Sequence, residues 1–348
     1  MIFFELYRPH GIDFPQFFEA AKMWWRGDNP YLTLLTSPGP FNYPPSSFYF
    51  LWWLDLLPFF WSAVVWNYLS LFAFLLSLFL LTKLIWVSKW KLHYFLYAAV
   101  FFTVPFFPEK FNMGNGQMNN FIFLFVVLSW WWRSQKKTWL SAGALAYAIS
   151  IKLTPAAFLL PLFVEKDWKQ ILRTVGVTIL LLISPVLLFG WKDIQPYTTS
   201  VFFEGFGMNG KDIYYNQSLL AFLLRTFSDS SATILFKISW VLFPLLSWVA
   251  LAKSQLKKNG EIFAISMAIA TSLYLMLHPL AWQHHFVFAV IPLLVVWKFV
   301  SKWLVAICFV LLASNIRQPD LVPAWASVIL SHQFLGVFLL WVGLLSKN

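Results

Sequence analysis

The chain has 348 residues, of which 60% are hydrophobic and 11% are charged, whereas an ordinary soluble domain is about 25% charged. This composition excludes a soluble globular domain and indicates a membrane protein. The formal net charge of +11 is spread over short Lys and Arg clusters between apolar runs, which is typical of cytoplasmic loops and argues against nucleic-acid binding. The single cysteine, Cys308, excludes an intramolecular disulfide and a cysteine-rich metal site.

The first 57 residues are irregular apart from one stretch with the period of a helix. Its apolar residues predict an amphipathic helix lying in the outer membrane interface: Phe17, Phe18, Ala21, Trp24 and Trp25. Asp13 precedes them, beside Pro15, where it would cap the helix or occupy its first turn. An acid under aromatic cover also suits a general base for a sugar hydroxyl, with its pKa raised by desolvation; the residues alone favour the cap. No cleavable signal peptide is expected, because residues 1–7 are too short for a signal core.

Apolar runs occupy most of the remaining chain. They lie near 58–82, 94–107, 117–132, 139–151, 154–164, 174–190, 232–252, 261–277, 285–299, 303–314 and 325–345. These runs predict an all-α, polytopic transmembrane helical bundle with about 10–12 membrane segments, forming a single integral-membrane domain over residues 1–348. The runs 139–151 and 154–164 are either a pair of half-helices or one longer helix broken around Pro155.

Charge predicts the orientation of the chain. If residues 1–57 lie outside and each run crosses once, most Lys and Arg fall in short inner loops, as the positive-inside rule requires. The segments 1–57 and 191–231 are then the first and second large outer loops. Because the outer loops are long and polar, the outer face is the expected working face. The sequence holds no Walker loop or dinucleotide fingerprint. An enzyme that works outside must take its activated group from a compound that reaches that side, and a phospholipid carrier in the membrane fits this requirement better than a nucleotide.

Two polar groups interrupt or flank the apolar runs. Lys152 stands inside the apolar stretch before Pro155, so it is a candidate phosphate contact; the alternative is snorkelling to the interface. His278, His284 and His285 precede or open the run 285–299. Adjacent helical histidines diverge by about 100° and the spacing is not that of a zinc motif, so we expect no metal. Contact with a phosphate or sugar, proton transfer, and a purely interfacial polar role all remain open for these histidines.

Two further segments carry hydrogen-bonding side chains. Residues 114–120 place Gln117 where a helix begins, which suits an anion or hydroxyl, although a turn with a cap explains the segment equally well. Residues 214–219, with Arg225 one or two turns later, predict a second interfacial helix bearing donors. Arg225 either binds phosphate or anchors at headgroups, and the residues alone slightly favour anchoring.

These motifs occur in an order that resembles glycosyltransferase family 87, a family of integral-membrane enzymes of the GT-C class. The ordered motifs are Asp13, residues 27–31 (GDNPY), 41–45 (FNYPP), 116–117 (GQ), 152–155 (KLTP), 216–218 (NQS) and 282–285 (WQHH). Together they cover the chain from Asp13 to about Pro292. The sequence departs from the family pattern at one point. Family members usually have a transmembrane helix before the first outer loop, with a cytoplasmic N-terminus, whereas this sequence begins almost at that loop.

The resemblance implies a GT-C-like fold and an inverting transfer of a mannose-like hexose from a polyprenyl-phosphate-sugar to a glycolipid or polysaccharide, without a cofactor. It also implies that Asp13, the acid of the first outer loop, is the catalytic base. The other expected contacts follow. The donor phosphate would meet Lys152, His278, His284, His285 and Arg225, while sugar or acceptor would meet Tyr31, Tyr43, Gln117, Asn216 and Gln217. The expected location is a bacterial or archaeal plasma membrane, among its lipids, with the active site facing outside.

Two other classes of function remain open. A lipid-linked-sugar flippase or small-solute transporter would explain an intramembrane Lys152 beside a broken run, although no internal repeat is convincing. A scaffold within a cell-envelope synthesis complex would use the polar outer loops for partners. The mapping of scattered polar motifs to one predicted face favours the transferase.

Overall fold

The computed structural model describes Gly11 and residues 13–33, 41–202, 211–253, 259–316, 319, 322 and 324–347. Within these residues the secondary structure is helical, and no strand occurs. The one β-type contact among them is an isolated antiparallel bridge between Asn216 and Trp282. The prediction of an all-α protein is therefore confirmed.

The helices follow the predicted apolar runs closely, because each run satisfies its backbone polar groups internally only as a helix. The α-helices are Asp13–Arg26, Pro30–Thr33, Phe48–Leu51, Phe59–Trp86, Leu92–Thr103, Phe107–Asn115, Asn119–Ser134, Thr138–Ile151, Leu160–Val164, Trp168–Phe189, Trp191–Pro196, Leu219–Thr226, Asp229–Lys253, Asn259–Leu277, Val290–Phe299, Lys302–Ala313 and His332–Ser346. Short 3₁₀ segments are Pro45–Ser47, Trp52–Leu56, Val87–Lys89, Thr154–Leu159, Gln283–Ala289 and Ala324–Ser331, and a π-helical turn is Tyr197–Phe202.

Five helices in the described part of the chain are long and apolar enough to cross a membrane. They are Phe59–Trp86, Trp168–Phe189, Asp229–Lys253, Gly260–Leu277 and Val328–Ser346. Shorter apolar helices are Leu92–Thr103, Thr138–Ile151, Thr154–Val164, Gln283–Phe299 and Lys302–Ala313. The protein is accordingly a multi-pass membrane protein.

The apolar region 139–164 is two short helices rather than one. The first ends at Ile151, and Lys152 is extended, with φ −149° and ψ 125°. A 3₁₀ segment then begins at Thr154 and leads into Leu160–Val164. Pro155 explains the break, because proline has no backbone donor and its ring clashes with the carbonyl four residues earlier, that of Ile151, where the helix ends. The first of the two alternatives for this region, a pair of half-helices, is therefore the one observed.

The chain forms two compact units. The first comprises Met1–Leu80, Lys110–Ala156 and Lys169–Met208. In this unit the helix Asp13–Arg26 packs on the 3₁₀ segment Trp52–Leu56, and the helices Asn119–Ser134 and Thr138–Ile151 pack as an antiparallel pair joined by a short turn. The prediction of one domain stays a prediction.

The second unit comprises Leu81–Glu109, Ala157–Trp168 and Asn209–Asn348. Its centre is the helix Asn259–Leu277, which packs against Val290–Phe299 and His332–Ser346. Most of the membrane-length part of this central helix is buried inside the protein. The helix therefore serves as a core element, on which the polar segment that begins at His278 is built.

Candidate active site

Asp13 is the first residue of the helix Asp13–Arg26. The helix forms here because Phe14, Phe17 and Phe18 are buried on one face, as their helical spacing predicts. Phe14 and Phe17 both contact the indole of Trp66, with ring centroids 5.8 and 5.7 Å apart. This packing holds the first turn of the helix against the interior of the unit, so the partly buried Asp13 carboxyl faces polar side chains.

Two glycines allow the chain to approach the helix start closely. Gly116 has φ +66°, and a Cβ there would lie 2.5 Å from Cβ of Phe14. Gly11 has φ +143°, and a Cβ there would lie 2.4 Å from Cα of Asn115. The Nε1–H of Trp66 donates to the carbonyl of Gly116 at 2.9 Å. Only glycine fits both positions, so residues 114–118 can reach Asp13.

We expect Gly116→Ala to destabilise the protein by about 1–3 kcal/mol, because alanine is strained at positive φ and meets Phe14. The measurement is the thermal unfolding midpoint in detergent, which should fall. Gly143→Ala is the matched control, since nothing lies within 4 Å of a Cβ at this helical glycine and alanine favours helix. Equal midpoints for the two variants would contradict the close-approach explanation.

The Asp13 carboxyl joins a chain of hydrogen bonds that runs through Gln117. The Gln117 side chain hydrogen-bonds Asp13, and since a carboxylate only accepts, the amide nitrogen is the donor. The hydroxyl of Tyr43 donates to Gln117 Oε1 at 3.0 Å. The hydroxyl of the buried Tyr31 in turn donates to the backbone carbonyl of Tyr43 at 2.8 Å. Three predicted sugar-binding residues therefore lie together beside the predicted base.

Lys152 lies in the same unit, at the end of the helix Thr138–Ile151. Its Nζ donates to Oδ1 of Asn119 at 3.3 Å and lies 5.7 Å from the ring centroid of Tyr43. Its charge acts on Asp13. Because the helix ends before Pro155, Lys152 has an extended backbone, and from there its amine reaches Asn119 and Tyr43. An acid and an amine from distant parts of the chain are thus neighbours.

Burial raises the pKa of Asp13 from 3.8 to about 6, while the hydrogen bond from Gln117 and the positive charge of Lys152 oppose that shift. A carboxyl with this pKa is largely ionised at neutral pH. It is also a stronger base than an ordinary aspartate, which suits it to accept a proton from a hydroxyl. The desolvation expected from the sequence is therefore the dominant cause.

The three histidines form a cluster in the second unit. The ring of His285 lies 5.5 Å from that of His278 and 4.6 Å from that of His284, measured between centroids. The N–H of Leu280 donates to Nδ1 of His278 at 3.2 Å, which leaves the Nε2 of a neutral His278 ring to carry the proton. Among the described residues, no group of three or more His, Cys, Asp and Glu is placed to hold a metal ion. The roles predicted for these histidines stay predictions.

The side-chain amides of Asn216 and Gln217 donate hydrogen bonds to backbone carbonyls. Nδ2 of Asn216 donates to the carbonyls of Lys211 and Pro279, at 2.8 and 2.9 Å. Nε2 of Gln217 donates to the carbonyls of Tyr214 and Leu330, at 2.7 and 2.6 Å. Both side chains are buried, and these contacts occupy both N–H groups of each amide. The geometry favours a structural role, and their sugar-binding role stays a prediction.

Arg225 is similarly engaged near the end of the helix Leu219–Thr226. Its Nη1 donates to the carbonyls of Asp212, Ile213 and Asn216 at 3.0–3.2 Å. Its Nε and Nη2 donate to the hydroxyl of Ser331. The guanidinium therefore holds the segment before its own helix, and neither phosphate binding nor headgroup anchoring is tested by these contacts. The predicted second helix exists, but it begins only at Leu219, after the Ser218 cap.

Asn112 lies outside every predicted motif, and Asn119 entered only as a member of the segment 114–120. Asn119 accepts the hydrogen bond from Lys152, and its Nδ2 donates to Oδ1 of Asn112 at 3.2 Å. Both side chains are fully buried. The signal was a cluster of amides at the start of an apolar helix, but nothing in the sequence linked that cluster to a lysine 33 residues later.

The family model described as "Glycosyltransferase family 87" matches residues 41–279 of the chain. Among curated proteins, the chain is 24% identical over 339 residues to a protein of Mycolicibacterium smegmatis (strain ATCC 700084 / mc(2)155), named polyprenol-phosphate-mannose-dependent alpha-(1-2)-phosphatidylinositol mannoside mannosyltransferase. That match covers 89% of this chain and 76% of the relative. Lys152 and His278 lie within the family match, whereas Asp13 precedes it.

Proposed function

The chain belongs to glycosyltransferase family 87, and from that premise we propose that it transfers a mannose-like hexose from a polyprenyl-phosphate-sugar to a membrane glycolipid, with inversion. The observation that carries the proposal is the placement of Asp13 and Lys152 in one unit, near enough for the positive charge of Lys152 to act on the carboxyl. A general base and a fixed positive charge are the two groups that a displacement at a phosphate-activated sugar requires. Asp13 supplies the first and Lys152 the second.

The reaction is a single displacement. Asp13 takes the proton from an acceptor hydroxyl, and the hydroxyl oxygen attacks the anomeric carbon of the donor. The bond from that carbon to the phosphate oxygen breaks, and its electron pair leaves with the polyprenyl phosphate. Lys152 stabilises the charge that develops on this phosphate. A new glycosidic bond forms with inverted configuration, and the proton remains on Asp13 until solvent removes it.

The relative from Mycolicibacterium smegmatis supports the choice of substrates. Its name states dependence on polyprenol-phosphate-mannose and action on phosphatidylinositol mannoside. We therefore place a polyprenyl-phosphate-hexose as donor and a glycolipid as acceptor, with a polysaccharide as the other acceptor to test. The distribution of Lys and Arg supports a plasma membrane with the active site on the extracytoplasmic side, where this lipid donor is accessible and nucleotide-sugars are not.

Side chains near the proposed base would orient the sugars. Tyr43 is partly exposed and lies against both Phe17 and the Lys152 amine, so its ring suits contact with a sugar face. Tyr31 is buried and supports Tyr43. The phosphate contacts expected of His278, His284 and His285 in the second unit stay predictions and form no part of this proposal.

Transfer should rise with pH through about 6, where Asp13 loses its proton. The protonated acid cannot accept a proton, so below that value we expect kcat/KM to fall about tenfold per pH unit. Above it, kcat/KM should level off as the carboxylate becomes fully populated. The measurement is kcat/KM for the acceptor between pH 4.5 and 8 in proteoliposomes, because this ratio reports the pKa of the protein without substrate. A profile that is flat across this range would remove Asp13 as the titrating base.

A reconstituted assay tests the function itself. Purified protein in proteoliposomes is supplied with a short-chain polyprenyl-phosphate-[³H]mannose and a phosphatidylinositol-linked glycolipid, and products are separated by chromatography. The proposal expects a new labelled glycolipid. Labelled donor that crosses the bilayer without forming a glycosidic bond would instead support a flippase or transporter. A second arm replaces the glycolipid with a soluble oligosaccharide and decides between the two acceptor classes.

A further inference from the structure

We propose that residues 112–119, here called the amide turn, position both reacting groups: Gln117 orients the Asp13 carboxylate and Asn119 orients the Lys152 amine. This inference rests on the proposed function for the identity of those two groups. It gives Gln117 a role different from the sugar contact expected from the sequence. It gives Asn119, previously only a member of the candidate segment 114–120, a role of its own. Both are positioning residues, because each acts through another side chain.

The first arm of the amide turn reaches Asp13. The Tyr43 hydroxyl donates to Gln117 Oε1 at 3.0 Å, which fixes the amide so that its nitrogen is the atom available to the carboxylate. The Gln117 side chain is buried, with 4% of its surface exposed, so water cannot readily substitute for the amide. A buried donor to an ionised acid both orients the acid and favours its charged form.

The second arm reaches Lys152. Asn119 accepts from Nζ at 3.3 Å and donates to Asn112 Oδ1 at 3.2 Å. Because Oδ1 faces the amine and Nδ2 faces Asn112, both ends of the Asn119 amide are assigned. A lysine stem has four rotatable bonds, and a fixed acceptor limits where its charge rests. Asn119 therefore determines the position of the cation that would meet the leaving phosphate.

Both arms share one anchor, Asn112. Its backbone carbonyl accepts from the N–H of Gln117 at 3.0 Å, while its side chain accepts from Asn119. The turn at Gly116 lies between this anchor and the two arms and is held by the hydrogen bond from Trp66. The spacing between acid and amine is thus set by a short, buried, covalently continuous segment, which is the kind of support that precise positioning requires.

Among the described residues, the charged group that acts on Asp13 electrostatically is Lys152. The elements packed on the helix Asp13–Arg26 are Trp52–Leu56, Pro30–Thr33 and Phe48–Leu51, and their titratable side chains are Asp55, Tyr31 and Tyr49. The helix itself also carries Arg26 in its last turn, and Glu19 and Lys22, which pair with each other at 3.3 Å. The Gln117 variant changes none of these charges, so it isolates the hydrogen bond.

The first test reads Asp13 without requiring catalysis. Dicyclohexylcarbodiimide adds to protonated carboxyls in apolar surroundings, and peptide mass spectrometry gives the labelled fraction of Asp13 at each pH. In the wild type the labelling midpoint should lie near pH 6. In Gln117→Leu it should rise by about one pH unit, because a hydrogen bond to the charged form is lost. Tyr43→Phe is the milder second variant and should raise the midpoint by less.

Ser62→Ala is the matched control for the labelling. Ser62 is fully buried in the same unit, and its hydroxyl donates one hydrogen bond, to the carbonyl of Leu54 at 2.9 Å. Its removal should leave the midpoint unchanged. An unchanged midpoint in both Gln117→Leu and Tyr43→Phe overturns the first arm, and so does an equal shift in Ser62→Ala.

The second test measures transfer by Asn119 variants. Asn119→Leu should lower kcat by about 10- to 100-fold through misplacement of the amine, with a smaller change in the donor KM. Asn119→Ser keeps a neutral oxygen acceptor for Lys152 and should recover part of the rate. Equal losses in both variants overturn the second arm. If Gln117→Leu shifts the labelling midpoint but the wild type transfers no sugar, the positioning of Asp13 is supported and the proposed function is refuted. If the wild type transfers sugar but the midpoint does not shift, the proposed function is supported and the positioning of Asp13 is refuted.

Discussion

Asp13→Asn is expected to lower kcat for sugar transfer by about 10²- to 10⁴-fold, the range that general bases contribute. Asparagine has nearly the shape of aspartate but cannot take a proton at any working pH. The hydrogen bond from Gln117 can be retained by an amide oxygen, so folding and donor binding should be preserved. The measurements are kcat in proteoliposomes and donor affinity with a labelled, short-chain donor.

Asp55→Asn is the control for this variant. Asp55 lies in the same unit, on the segment Trp52–Leu56 that packs against the Asp13 helix, and the proposed reaction does not use it. We expect its transfer rate to stay within about twofold of the wild type, because Asp55 is only partly buried and the substitution nearly conserves its shape. Wild-type transfer by Asp13→Asn would falsify the assignment of the base.

Lys152→Gln should lower kcat by about 10²- to 10³-fold, which is the effect of removing one preorganised group from a developing anion. Glutamine retains hydrogen-bonding ability but lacks the charge, so the loss reports electrostatic stabilisation of the departing phosphate. The substitution also removes the cation that lowers the pKa of Asp13. We therefore also expect the rising limb of the pH profile to shift to higher pH. A loss of folded protein would lower the rate without this shift.

Lys22→Gln tests whether any lost positive charge in the unit has this effect. Lys22 pairs with Glu19 on the same helix as Asp13, and both side chains are about one-third exposed, at 29% and 35%. A pair of this kind contributes little to stability, so the control should retain the wild-type rate and pH profile. If Lys152→Gln behaves like Lys22→Gln, the leaving-group role of Lys152 is wrong.

The helical architecture could be predicted because its cause is local. Hydropathy and period 3.6 are properties of consecutive residues, and a bilayer leaves the backbone no alternative that satisfies its polar groups. The start of the first helix at Asp13 and the break beside Pro155 were predictable for the same reason. A carboxylate before an aromatic face of helical spacing, and a proline after a threonine, restrict the chain within a few residues.

The site was predictable only as a set of candidate side chains. The family motifs brought Asp13, Tyr43, Gln117 and Lys152 into one hypothesis, but no periodicity shows that a tyrosine hydroxyl reaches an amide 74 residues away. Asn216 and Gln217 illustrate the converse. In the sequence they are two polar residues in a loop, equally suited to bind a sugar. Their hydrogen bonds to backbone carbonyls appear only in the folded chain, and no sequence pattern indicated them.

By itself, therefore, the sequence determined that this protein is a helical membrane protein with an acid at the start of its first described helix and a lysine at a helix break. Only the tertiary structure decided that Gln117 hydrogen-bonds Asp13 and that Asn119 accepts from Lys152. It also decided that Arg225 donates to the backbone carbonyls of the segment before its helix. The physical reason is the separation along the chain over which each interaction acts. Hydrophobic periodicity and proline sterics act between neighbours in the chain, whereas a hydrogen bond between distant residues exists only after packing has brought their segments together.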